Sequence, residues 1–266
     1  MMPNNYLLVR HGQSEGNLAV EASKAGNNDL YTERYVMTPG TQWRLTDVGM
    51  AQAAAMGAWL REFGPQVDRF YVSPYVRTRM TAVQLMLPVP ETGWRMNRAY
   101  REREWGEIEA LPRSTFEVDY PNSARVKKVN PLYWAPPGGE SIADVGENRV
   151  RNILDTLHRE CEGQTVLAVT HGENMWAHRL VLERWSDETF LKMDSDKTQR
   201  IANCQTLWYR QSSTGDPHLR ELCVITPVLE GGKWVARVTQ DWQEFSFPRY
   251  SNEELWDTVK DIPPIF

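Results

Sequence analysis

An arginine, a histidine and a glycine stand together at Arg10-His11-Gly12, a combination suited to holding an anion against an imidazole. Arginine is rarely buried without a partner, so the pair is a poor choice for a core. As chemistry, it sets a fixed positive charge beside a nitrogen nucleophile or base. The glycine lets the backbone turn away or approach a ligand closely. A second histidine, His171, lies in Val-Thr-His-Gly-Glu-Asn, and Arg77 lies in Ser-Pro-Tyr-Val-Arg-Thr. Taken singly, His171 reads as a satisfied strand-end histidine and Arg77 as a surface charge. Their shared context changes that reading.

Each of these groups follows a short apolar run and precedes a helical pattern. Tyr6 to Val9 leads to Arg10 and His11, Phe70 to Val72 leads to Arg77, and Thr165 to Val169 leads to His171. Short apolar runs of this kind make buried strands. In a mostly parallel sheet, the loops after such strands lie at the carboxyl edge, where open α/β folds bind ligands. Helix starts there add unpaired N–H groups and positive dipole ends. Two arginines and two histidines on one edge describe a site for a phosphate or a similar anion.

The positioning elements carry their own signals. Ser14, Thr46 and Ser141 precede helical patterns as N-caps, Ser141 pairing with Asp144 in a capping-box arrangement. Met56, Trp59, Leu60 and Phe63 fall on one helical face that Gly64-Pro65 ends. Val150, Ile153, Leu154 and Leu157 form another. Residues 26–44 read as a loop, 89–100 as extended chain and 107–139 as the least regular stretch of the first half. Gln205 to Arg210 looks like a strand, and Leu222–Thr226 with Trp234–Thr239 like a hairpin around Gly231-Gly232. The aromatics Trp242, Phe245, Phe247 and Tyr250 suggest that this last part packs on the rest, so truncation at Gly215 is expected to destabilise the fold. His158 and His218 read as surface residues and His178 as structural.

Composition narrows the function. The chain is 41% hydrophobic and 24% charged, with a net charge of −5, which argues against nucleic acid as partner. Three widely spaced cysteines indicate neither a disulfide framework nor a zinc site and point to a reducing, cytoplasmic setting. The start shows no signal-peptide pattern, and no apolar run is long enough to span a membrane. The mean hydropathy of −0.56 agrees.

Leu8 to Asn17, reading Leu-Val-Arg-His-Gly-Gln-Ser-Glu-Gly-Asn, resembles the signature of the histidine phosphatase superfamily, which contains the cofactor-dependent phosphoglycerate mutases. Supporting strings follow in order: Leu-Thr-Asp-Val-Gly-Met-Ala-Gln-Ala, Ser-Pro-Tyr-Val-Arg-Thr-Arg-Met-Thr-Ala, Arg-Glu-Arg-Glu-Trp-Gly, Pro-Gly-Gly-Glu-Ser and Val-Thr-His-Gly-Glu-Asn. The resemblance spans Tyr6 to about Tyr209. It implies a three-layer α/β sandwich with a central, mainly parallel sheet, phosphoglycerate mutase-like. Residues 1–266 then form one domain, with 211–266 as a C-terminal β-rich addition packed on it.

The resemblance also implies covalent catalysis without metal or cofactor. His11 is the nucleophile that forms a phosphohistidine. Arg10, Arg77 and His171 surround the phosphoryl group, and Asn17 is a further phosphate contact. The proton donor falls on Glu102, four residues before Gly106. Glu104 competes, because in an extended segment both carboxylates share a face.

Three functions fit these residues. The first is a phosphomonoesterase acting on a small phosphorylated substrate. The second is phosphoglycerate mutase-type transfer, and the third an inactive relative that binds phosphorylated ligands or proteins. The third is disfavoured because both histidines, both arginines and the acid are present. Against the second, mutases carry Tyr-Gly-Gly-Leu-Gln-Gly-Leu-Asn-Lys where this chain has Trp105 to Arg113, which lacks that lysine and brings in Glu107 and Glu109. Arg125, Lys127 and Lys128 are the residues that could compensate. The oligomeric state is open, a homodimer included.

Overall fold

The computed structural model describes residues 1–212, 218–247 and 249–266. Seven strands form one sheet: β1 (Asn5–Arg10), β2 (Arg69–Val72), β3 (Trp94–Met96), β4 (Thr165–Thr170), β5 (Thr206–Gln211), β6 (Leu219–Glu230) and β7 (Lys233–Glu244). Their order is β3-β2-β4-β1-β5-β6-β7. The pairings among β3, β2, β4 and β1 are parallel, and those from β1 through β5 and β6 to β7 are antiparallel. β4 is buried along its whole length, as a central parallel strand covered on both faces must be.

Helices α1 (Glu15–Lys24), α2 (Glu33–Met37) and α3 (Asp47–Phe63) lie between β1 and β2, and α4 (Val76–Gln84) follows β2. Next come α5 (Arg113–Asp119), α6 (Pro121–Val129), α7 (Ile142–Val145), α8 (Arg151–Glu160), α9 (Gly172–Leu182), α10 (Asp187–Ser195) and α11 (Asn252–Asp257). The alternation of side chains along β1 divides the core. Leu7 and Val9 pack with Met56 and Leu60 of α3 and Ala82 of α4, whereas Tyr6 and Leu8 pack with Ile153 and Leu157 of α8 and Met175 of α9. Two helical layers thus cover opposite faces of the sheet.

The caps form as the local sequence requires. Ser14 accepts from Asn17 N–H while Asn17 reaches back, Thr46 accepts from Gly49 N–H, and Ser141 pairs reciprocally with Asp144. Four expectations change. Phe63 is 60% exposed at the end of α3, its ring tilted against Trp59, and it is not part of the core face. Residues 26–44 contain α2, capped by Thr32, and the irregular stretch holds α5 and α6. Of residues 89–100, Trp94 to Met96 are strand, and Arg98 to Tyr100 turn as a 3₁₀ helix.

The C-terminal hairpin joins the sheet edge-on. β6 hydrogen-bonds to β5, and Leu222, Cys223 and Ile225 enter the core. Gly231 and Gly232 both have positive φ, 55° and 79°, as a two-residue hairpin turn of matching twist demands. Phe245 packs against the core, Phe247 lies under Arg184 and Arg220, and residues 249–266, Tyr250 included, are exposed. No helix among the described residues is long and apolar enough to cross a membrane.

Candidate active site

Parallel pairing brings the three loops together. Arg10 lies opposite Thr170, and Val72 opposite Val169. His11 N–H then donates to Thr170 O at 3.0 Å, and Ser73 N–H to Val169 O at 3.0 Å. Each strand thus delivers its next residue to the carboxyl edge, and the imidazoles of His11 and His171 end 5.2 Å apart, edge to face. His171 is the N-cap of α9, and Arg77 stands in the first turn of α4; neither helix start has a side-chain cap. Their open N–H groups add to the anion-binding character of the edge.

His11 is buried, with Nδ1 2.7 Å from its neighbour's carbonyl, Gly12 O. A carbonyl only accepts, so Nδ1 carries the hydrogen and Nε2 the lone pair. Arg77 Nε–H donates to that Nε2 at 3.2 Å, and Arg77 Nη1 to Gly40 O at 2.6 Å. Burial, then the charges of Arg77 and Arg10, hold His11 well below the usual histidine range. The same influences, with His11 itself, lower His171. Both rings are therefore neutral at pH 7, the form in which an imidazole has a free lone pair.

Arg10 donates to Ile201 O at 2.6 Å through Nη1, while its Nε is buried without a partner. Gly172 makes room for it, since a Cβ there would stand 3.2 Å from Arg10 Nε. Asn17 turns its Oδ1 to the Ser14 cap and to Asn203 Nδ2, which leaves its own Nδ2 as the outward donor. Asn203 also donates to His11 O at 3.2 Å.

Glu102 joins the histidines. One ligand atom from each of His11, Glu102 and His171 falls within 4.8 Å of the others. Burial and the nearby Glu173 carboxylate push the Glu102 carboxyl up, against the pull of Arg77, the Arg103 N–H and Arg10. Glu104 is instead paired, with its carboxylate 2.9 Å from Arg101 Nε. The backbone around Glu102 is gripped from outside: Asn174 Nδ2 donates to Ala99 O and Arg101 O, and Arg149 Nη1 to Arg101 O at 2.8 Å. The three groups of the triad are also the ones that could bracket a cation. The guanidinium of Arg77 on His11 Nε2 opposes one there.

Beside this centre, Arg103 is buried, paired to Glu173 at 3.1 Å and stacked over Trp105. Lys127 lies over Trp134 at 4.6 Å, whereas Arg125 and Lys128 are exposed. Burial and Arg103 lower Lys127. His178 belongs to a buried network away from the site, its Nε2 3.1 Å from Tyr6 OH and its Nδ1 donating to Asn174 O. His158 and His218 are exposed. Sequence reading gave no role to Ser73, Asn174, Arg149 or Asn203. Ser73 and Asn174 lie inside quoted strings and could have been singled out, but Arg149 and Asn203 carry no local signal.

A family model for the histidine phosphatase superfamily (branch 1) matches residues 6–203. A 2,3-bisphosphoglycerate-dependent phosphoglycerate mutase of Sinorhizobium fredii is 30% identical over 200 residues, covering 73% of this chain and 86% of that protein. Among solved structures, a mycobacterial glucosyl-3-phosphoglycerate phosphatase matches with a TM-score of 0.60 at 20% identity, over 91% of this chain and 99% of that one. A phosphoserine phosphatase from Entamoeba histolytica matches with a TM-score of 0.58 at 17% identity, over 89% and 96%. At such identities the structures speak to the fold.

Proposed function

The chain belongs to branch 1 of the histidine phosphatase superfamily, and from that premise we propose that it is a phosphomonoesterase acting through a phosphohistidine on a small phosphorylated substrate. The supporting observation is the tautomer of His11. With Nδ1 spent on Gly12 O, its lone pair is at Nε2, under Arg77 and beside Glu102 and His171.

In this reading a phosphoryl oxygen takes over the Arg77 Nε–H, and Nε2 is freed to attack phosphorus. Arg10, Arg77, His171 and Asn17 hold the equatorial oxygens and meet the charge that grows there. The ester P–O bond breaks as Glu102 gives its proton to the leaving alkoxide. Glu102, now a carboxylate, takes a proton from water, whose oxygen attacks the phosphohistidine and releases phosphate and neutral His11. No step calls for a metal or cofactor. Rapid quenching with labelled substrate should give an acid-labile, alkali-stable phosphoenzyme that His11→Ala abolishes. Label on Ser14 instead would overturn the mechanism.

Phosphoglycerate mutase-type transfer is the second reading, favoured by the relatives in sequence and by Arg103 and Lys127 beside the site. Against it, the Glu109 carboxylate lies against Gly40, whose carbonyl accepts from Arg77, and would repel a second anionic group. Incubation with 3-phosphoglycerate and catalytic 2,3-bisphosphoglycerate separates the two. The phosphatase reading expects free phosphate; rapid isomerisation with negligible phosphate release would replace it.

A further inference from the structure

His171 is fully buried; its Nε2 lies 2.8 Å from Ser73 Oγ, and its Nδ1 is buried with no hydrogen-bond partner. An unpaired buried ring nitrogen is costly unless a ligand completes it. The ring is held edge-on against His11 at 5.2 Å and Tyr75 at 4.8 Å, so its two nitrogens keep distinct surroundings.

A phosphoryl group offers only acceptors, so the nitrogen facing it must carry hydrogen. In a neutral imidazole the other nitrogen must then accept. A backbone carbonyl at Nε2 would impose the opposite tautomer, as Gly12 O does at Nδ1 of His11. A hydroxyl can donate. Ser73 is buried, with both backbone groups pinned: its N–H donates to Val169 O at 3.0 Å, and its C=O accepts from Thr78 Oγ1 at 2.9 Å. Its hydroxyl is directed at the imidazole.

We infer that Ser73 is a positioning residue whose hydroxyl donates to His171 Nε2 and thereby fixes the Nδ1–H tautomer, making His171 a neutral donor to a phosphoryl oxygen. The two histidines are set to opposite tasks by their partners. Gly12 O leaves His11 Nε2 as a lone pair, and Ser73 leaves His171 Nδ1 as a hydrogen-bond donor. The inference rests on the reading that this pocket holds a phosphoryl group.

The test needs no turnover. Two-bond ¹H–¹⁵N spectra of imidazole-labelled protein, with His171 assigned from a His171→Asn variant, should show hydrogen on Nδ1. Ser73→Ala should shift the ring toward the Nε2–H form and weaken inorganic phosphate about tenfold, roughly the value of one neutral hydrogen bond. Ser73→Thr, which keeps the hydroxyl, should restore both, with thermal unfolding as the control for folding. Hydrogen on Nε2 in the wild type would overturn the inference, as would a Ser73→Ala variant with unchanged tautomer and phosphate affinity. Should Ser73→Ala not fold, the wild-type spectrum and Ser73→Thr still decide. A protein without phosphatase activity but with Nδ1–H His171 would sink the functional reading alone; an active phosphatase with Nε2–H would sink this inference alone.

Discussion

Replacing Glu102 by Gln keeps shape and hydrogen-bonding reach but removes the proton. A positioned general acid contributes about 10²–10⁴ in rate, or about 3–5 kcal/mol of barrier. That contribution applies only where the leaving group needs protonation. Glu102→Gln should therefore lower kcat/KM for alkyl phosphates by about 10²–10⁴, yet for p-nitrophenyl phosphate by about tenfold or less. The shift of Glu102 sets the pH profile: burial and Glu173 raise its carboxyl, so the proton persists above the usual carboxylate range and is lost as pH rises through the raised value. The alkaline limb seen with alkyl phosphates should vanish in Glu102→Gln. Glu104 is paired to Arg101 with 46% of its side chain exposed, so Glu104→Gln should cost less than about tenfold for either substrate. Steady-state assays of both variants on both esters decide. A damaging Glu104→Gln beside a silent Glu102→Gln, or equal losses on both esters from Glu102→Gln, would refute the assignment.

His178, lowered by burial from 6.5 to about 4, destabilises the fold as pH falls from about 6.5 to about 4, because the unfolded chain takes up the proton first. That shift is worth about 3 kcal/mol, so His178→Gln should flatten the acid limb of denaturant-measured stability by that order; an unchanged limb would place the acid sensitivity elsewhere. Gly172→Ala puts a methyl 3.2 Å from Arg10 Nε and should lower kcat/KM about tenfold with little change in Tm, so unchanged kinetics would show that Arg10 can yield. Truncation at Gly215, a residue outside the described ones, removes buried Leu222, Cys223 and Ile225. With Leu219 and Val224, the buried aliphatic side chains lost at about 1.5–3 kcal/mol each come to about 6–12 kcal/mol, comparable to the whole stability of about 5–15 kcal/mol of a typical domain. No cooperative unfolding transition is expected of that chain, whereas removal of residues 250–266, all exposed, should leave Tm unchanged.

Local chemistry explains what was legible in the sequence. Ser14, Thr46 and Ser141 cap their helices because a hydroxyl three residues before an orphan N–H satisfies it whatever lies beyond. Arg10, His11, Arg77 and His171 could be gathered into one site because each follows a short apolar strand, and parallel pairing brings such strand ends to a common edge. The hairpin was legible from its glycines, which take the two positive φ values of a type I′ turn without steric cost.

The choice between Glu102 and Glu104 was of another kind. Alternation along an extended segment gives both carboxylates the same face, so spacing alone leaves them equivalent. The backbone that presents Glu102 beside His11 is held by Asn174, 75 positions from Ala99, and by Arg149, 48 positions from Arg101. Hydrogen bonds over such separations leave no periodic trace. The same holds for Ser73 and His171, 98 positions apart and 2.8 Å from each other. Residue types and local spacing, acting through short-range sterics and capping, determined the strands, the caps and which Arg and His residues gather at the carboxyl edge of the sheet. Which carboxylate stands beside His11, and which ring nitrogen of each histidine carries its hydrogen, was decided by the tertiary structure, because side-chain direction and proton position depend on partners that only folding brings into reach.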